Sequence, residues 1–119
     1  MKIYIVEDSP GIRQRLKSFL AELGEVIGEA DSEEVAVSEI LLMQPDVVIL
    51  DLGLAVGNGV EVLRRIKYQF PAIRVIVLSN YSAQPYREKC RELGADNFLS
   101  KDQEFDLIRN LLIAPMYHI

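Results

Sequence analysis

Four short apolar runs in this sequence each lead into a residue able to do chemistry. Ile3-Tyr4-Ile5-Val6 leads into the acidic pair Glu7-Asp8, and Val47-Val48-Ile49-Leu50 into Asp51. Val75-Ile76-Val77-Leu78 leads into Ser79, and Asn97-Phe98-Leu99-Ser100 into Lys101. Singly, each is commonplace: an aspartate after a strand often caps the next loop, a serine there usually makes a turn, and Glu7 and Lys101 can simply be solvated. Gathered in one cleft, three carboxylates, a hydroxyl and an ammonium are the parts of a Mg²⁺-assisted phosphoryl site with a carboxylate nucleophile. Carboxylates about 4 Å apart repel by roughly 4 kcal/mol per pair at an effective dielectric near 20, so the cluster calls for a cation. An oxygen-only set suits Mg²⁺, which keeps several waters and shares the rest of its shell with phosphate oxygens. The hydroxyl can donate to one phosphoryl oxygen and the ammonium can neutralise another.

Whether these residues meet depends on the elements that carry them. The run before Asp51 has no polar alternation and three β-branched residues, which predicts a strand covered on both faces. Lys2 to Val6 predicts a first strand, Glu25 to Ala30 a weaker second, Arg74 to Leu78 a fourth and Asn97 to Ser100 a brief fifth. Between them the apolar positions switch to helical spacing. Ser9 caps a helix with Pro10 at its first position, bearing Ile12, Leu16, Phe19, Leu20 and Leu23 on one face, with Gly24 as its stop. Asp31 and Glu34 resemble a capping box opening a helix with Val37, Ile40 and Leu41 inward, which ends before Pro45. After a loop from Leu52 to Asn58, Asn58 or Gly59 starts a helix carrying Val62, Leu63 and Ile66, broken at Phe70-Pro71. Pro85 to Leu93 is expected as a fourth helix, stopped by Gly94, and Asp102 to Leu112 as a fifth with Phe105, Ile108, Leu111 and Leu112 inward.

Strand then helix, five times over, implies right-handed crossovers and a parallel sheet between two helical layers. For five strands the common solution is the flavodoxin-like (βα)5 sandwich in the order 2-1-3-4-5, with its switch point between strands one and three. That order sets Glu7-Asp8 beside Asp51 and brings Ser79 and Lys101 to the same edge.

The totals narrow the class. The chain's 119 residues, half of them hydrophobic, fit one compact domain spanning 1–119. A net charge of −5 argues against direct nucleic-acid binding. The single cysteine, Cys90, leaves no internal disulfide, and with no signal peptide or membrane span legible, the cytoplasm is the expected compartment.

Over essentially its whole length the sequence resembles the receiver domain of two-component response regulators. The resemblance rests on Glu7-Asp8, Asp51, Ser79 and Lys101, on Gly59 eight places after Asp51, and on the Gly94-Ala95-Asp96 turn. It implies that Asp51 accepts a phosphoryl group from a phosphohistidine on a sensor histidine kinase or phosphotransfer protein. It implies that Glu7, Asp8, Asp51 and the backbone carbonyl of Gly53 hold Mg²⁺, and that Ser79 and Lys101 bind the phosphoryl oxygens. Phe98 matches the aromatic whose rotation follows the shift of Ser79, so the surface expected to meet a downstream protein is the fourth helix, fifth strand and fifth helix. A homodimer is compatible with this. Such a domain is a phosphoacceptor switch rather than an enzyme in its own right.

The sequence also departs from the family. Leu54-Ala55 stands where Met-Pro or similar is usual, Asp102 follows Lys101 in place of proline, and Asn80 follows Ser79 where a small residue is common. Two stiffening prolines are therefore missing, and looser site loops are expected. Gly53 and Tyr81 stand where side chains could flank an incoming water; Tyr81 is expected to slow loss of the phosphoryl group. Two rivals remain open: a pseudo-receiver that binds proteins without phosphorylation, and a Mg²⁺-dependent aspartate-nucleophile phosphatase. The phosphatase would ordinarily place a second aspartate where Gly53 stands. Cys90 and His118 read as structural or incidental, and the apolar tail Ala114–Ile119 favours a regulator acting alone by protein contact.

Overall fold

The computed structural model describes residues 1–80, 84–102 and 106–113. The expected alternation is found: β1 (Lys2–Val6), α1 (Pro10–Leu20), β2 (Glu25–Ala30), α2 (Glu33–Met43), β3 (Val47–Leu50), α3 (Gly59–Gln69), β4 (Arg74–Ser79), α4 (Gln84–Glu92), β5 (Asn97–Ser100) and α5 (Leu107–Ile113). The five strands form one parallel sheet in the order β2-β1-β3-β4-β5, the flavodoxin-like arrangement.

The uninterrupted apolar runs become the three central strands because both of their faces are covered. Ile3 to Val6, Val47 to Leu50 and Val75 to Ser79 are all buried. The pleat divides them between two cores. Tyr4, Val6, Val48, Leu50, Val75 and Val77 pack against Ala36, Val37 and Ile40 of α2, Val62, Leu63 and Ile66 of α3, and Cys90 of α4. Ile3, Ile5, Val47, Ile49, Ile76 and Leu78 pack instead against Leu16 and Leu20 of α1 and Ile108 and Leu112 of α5. Each fully buried aliphatic contributes about 1.5–3 kcal/mol, so the sheet is held in register from both sides. β2, at the edge, is only partly buried, in keeping with its weaker apolar pattern.

Three local expectations need correction. The box of Asp31 and Glu34 does not form: α2 begins at Glu33, its cap position is Ser32 without a side-chain bond, and Glu34 pairs with Arg65 instead. Gly24 does not end α1 through a left-handed turn. The helix closes at Leu20 with Ala21 still right-handed, and Gly24 is needed because a Cβ there would meet the Met1 carbonyl at 2.7 Å. The last helix starts at Leu107, with Asp102 in a turn where it accepts from the Ser100 hydroxyl; Phe105 lies outside the described residues. Gln44, left-handed at φ 50°, ends α2 ahead of Pro45, and Gly94 at φ 101° ends the turn after α4. No helix among the described residues is long and apolar enough to cross a membrane.

Candidate functional site

Register brings the carboxylates together. Val6 of β1 pairs with Leu50 of β3, so the residues that follow them, Glu7 and Asp51, emerge side by side. The Glu7 N–H donates to the Ala30 carbonyl at 3.0 Å, and the Asp51 N–H to the Val6 carbonyl at 2.9 Å, so both backbones are still tied to the sheet. Asp8 is half-buried beside them, and carboxylate oxygens of Glu7, Asp8 and Asp51 lie within 4.8 Å of one another.

Local chain chemistry fixes each side chain. Ser9 caps α1 by accepting from the Ile12 N–H at 3.4 Å, and its own N–H donates to Glu7 Oε2 at 3.0 Å. Arg13, one turn into α1, donates to the Glu7 carbonyl at 2.8 Å. Asp51 Oδ1 accepts from the Gly53 N–H at 3.2 Å, so it does turn the following loop as well as face the cleft. Gly59, at the start of α3, presses on that loop: its N–H donates to the Leu52 carbonyl at 3.2 Å, and a Cβ there would meet the Asp51 carbonyl at 2.3 Å.

Lys101 completes the cluster from the end of β5. Its N–H donates to the Ser79 carbonyl at 3.2 Å, fixing the chain where β4 and β5 end together. Its ammonium reaches Glu7 Oε1 at 2.6 Å and Asp51 Oδ2 at 3.0 Å. Burial works against that charge, but the hydrogen bonds to Glu7 and Asp51 outweigh it and hold the lysine above its ordinary pKa. Glu7 is 1% exposed, and burial pushes its carboxyl upward; nearby Asp51 adds to the push, while Lys101 and the Ser9 N–H oppose it. One ammonium among three carboxylates leaves an excess of negative charge in a partly buried cleft. That is the electrostatic setting that favours a hard divalent cation with oxygen ligands.

These groups line an open cavity of about 360 Å³, together with Ser9, Ile12, Gly53 and Asn80. Ser79 is fully buried at the end of β4, one residue from Asn80 at the rim. Phe98 is half-buried against the core that includes Tyr4. The Arg87 guanidinium sits 4.8 Å from the centre of its ring and donates to the Phe98 carbonyl at 3.2 Å. Phe98 and Arg87 belong to a second cavity of about 390 Å³ between α4 and β5, with Arg91 and Asn97. Tyr81 and His118 lie outside the described residues. The sequence carries no sign of Asn80 at the rim or of Arg13 on the Glu7 carbonyl; a buried Glu7 next to a helical arginine at i+6 is a signal only once the fold is known.

A family model described as the response regulator receiver domain matches residues 3–113. The KDP operon transcriptional regulatory protein KdpE of Escherichia coli is 38% identical over 99 residues, 83% of this chain and 44% of that protein. A protein-glutamate methylesterase/protein-glutamine glutaminase of Carboxydothermus hydrogenoformans is 36% identical over 111 residues, 90% of this chain and 32% of that protein. The chain thus spans less than half the length of these relatives. Among solved structures, the response regulator domain of Thermotoga maritima CheB superposes with a TM-score of 0.84 at 25% identity, covering 98% of this chain and 92% of that one. The receiver domain of a sensor histidine kinase from Pseudomonas aeruginosa PAO1, solved with a magnesium ion in its own active site cleft, shares the fold. Its TM-score is 0.82 at 24% identity, covering 95% of this chain and 94% of that one.

Proposed function

The chain belongs to the response regulator receiver domain family, and from that premise we propose that it is a phosphoacceptor switch with Asp51 as the acceptor. One observation carries the reading. Asp51 opens onto a cleft shared with Glu7 and Asp8, with one carboxylate oxygen on the Gly53 amide and the other on the Lys101 ammonium. An Asp51 oxygen attacks the phosphorus of a phosphohistidine on a sensor kinase or phosphotransfer protein. A P–O bond forms as the P–N bond breaks, and the imidazole leaves. Glu7, Asp8, Asp51 and the Gly53 carbonyl are the residues that would hold Mg²⁺. Bound there, the ion supplies positive charge to offset the phosphoryl oxygens. Lys101 neutralises a further oxygen and Ser79 donates to another.

Phosphorylation adds roughly −1.5 to −2 charge at one point, which draws the Ser79 hydroxyl toward Asp51 and biases Phe98. Phe98 lines the groove between α4 and β5, so the change is read on the α4-β5-α5 face by a downstream protein or a second copy of the chain. The unit 1–119 acts as a signalling module in the cytoplasm, without its own turnover of substrate and without direct contact to nucleic acid. Mixing it with Mg²⁺ and acetyl phosphate and weighing the intact protein tests the reading. A stable gain of one phosphoryl group is expected; continuous release of phosphate would instead mark a phosphatase, and no adduct a pseudo-receiver.

A further inference from the structure

Helix α3 begins with half a capping box. Its cap, Asn58, accepts from the Val60 N–H at 2.8 Å, and Glu61 stands where such a box would return a carboxylate to the cap's own N–H. Glu61 instead holds Arg64 at 2.7 Å. The Asn58 N–H donates to Glu33 Oε1 at 3.0 Å, a carboxylate from the first turn of α2, so the neighbouring helix completes the cap.

Glu33 grips the same loop elsewhere. Its N–H donates to the Val56 carbonyl at 3.1 Å, next to a parallel bridge between Ser32 and Val56. Gly57, at φ 91°, lies so near that a Cβ there would meet the Glu33 Cβ at 2.4 Å. From α3, Arg65 reaches back to Glu33 Oε2 at 3.1 Å and holds the carboxylate in place. The other end of this grip is the site itself, because Gly59, next to Asn58, packs on the backbone of Asp51 and Leu52.

We propose that Glu33 is a positioning residue for the phosphoryl site: anchored by Arg65, it fixes loop 52–58 and through it Gly53. This rests on the reading of Asp51 as acceptor and Gly53 as a metal ligand. It also answers the missing loop proline at Ala55, since cross-helix hydrogen bonds supply the stiffness that the chain itself lacks.

Mg²⁺ titration of the full chain, followed by NMR at the Gly53 and Asp51 amides, tests it alongside hydrogen exchange at Asn58. Glu33→Ala is expected to weaken Mg²⁺ affinity about fivefold and to speed Asn58 exchange. Glu33→Gln, which keeps an acceptor for Asn58, is expected to recover most of the affinity, and Arg64→Ala, on the exposed pair, to change nothing. Wild-type affinity in Glu33→Ala, or an equal loss in Arg64→Ala, overturns the proposal while leaving the acceptor reading intact. If Glu33→Ala does not fold, Arg65→Gln decides: weakened affinity supports the proposal and unchanged affinity overturns it. A wild-type chain that neither binds Mg²⁺ nor gains a phosphoryl group overturns both.

Discussion

The Lys101 ammonium lies 3.0 Å from Asp51, a residue fifty positions earlier in the chain, and 2.6 Å from Glu7. A single cation therefore ties the ends of β1, β3 and β5 at the point where like charges would otherwise push them apart. Loss of one partner from a buried ion pair leaves uncompensated charge, the costly half of such an interaction.

Lys101→Ala is accordingly expected to lose about 3 kcal/mol of stability in urea without Mg²⁺. Added Mg²⁺ should restore more stability to the variant than it adds to the wild type, because Glu7 and Asp51 have then lost the Lys101 ammonium. Equal unfolding midpoints without Mg²⁺ would show that the bridge contributes nothing.

Gly59→Ala tests how closely α3 abuts the acceptor. The added methyl would fall 2.3 Å from the Asp51 carbonyl and 2.5 Å from the Leu52 Cα, both backbone, so no side chain can yield. A loss of about 2 kcal/mol is expected, with a marked fall in the rate of phosphorylation by acetyl phosphate. A variant with wild-type stability and rate would contradict the packing described.

A third expectation concerns alkaline pH. The Tyr4 hydroxyl, in a fully buried side chain, donates to Glu39 Oε1 at 2.6 Å. Burial, followed by that hydrogen bond and the Glu39 charge, raises its pKa well above the usual phenol value. Its contribution is therefore complete below the unfolded value of about 10 and is lost as pH climbs above it toward the folded value. Tyr4→Phe should be less stable than wild type by about 1 kcal/mol at pH 8, with the gap shrinking above about pH 10. Thermal unfolding across that range checks it; a gap that widens with pH would refute the assignment.

Which of these residues would meet was legible because each closes an apolar run, and a parallel sheet puts all such closures on one edge. Glu7, Asp8, Asp51 and Lys101 needed only the strand order to be brought together. What the sequence hid are the contacts whose partners are far apart and lack a repeating spacing. Nothing near Glu33 announces that its carboxylate will cap a helix twenty-five residues on, and Asp31-Glu34 offered a more familiar local pattern. Gly24 misled for the same reason: a glycine after a helix suggests a left-handed stop, whereas here it makes room for the backbone of Met1. Sequence spacing likewise gives no sign of the hydrogen bonds that loop 52–58 receives from α2 and α3.

With Asp51 as the acceptor, no other carboxylate in the cleft takes the phosphoryl group. Wild type and Asp51→Asn, each incubated with Mg²⁺ and acetyl phosphate and weighed intact, put it to the test. One added phosphoryl group is expected on the wild type, labile to hydroxylamine as an acyl phosphate, and none on the folded variant. An adduct formed undiminished in Asp51→Asn would contradict it.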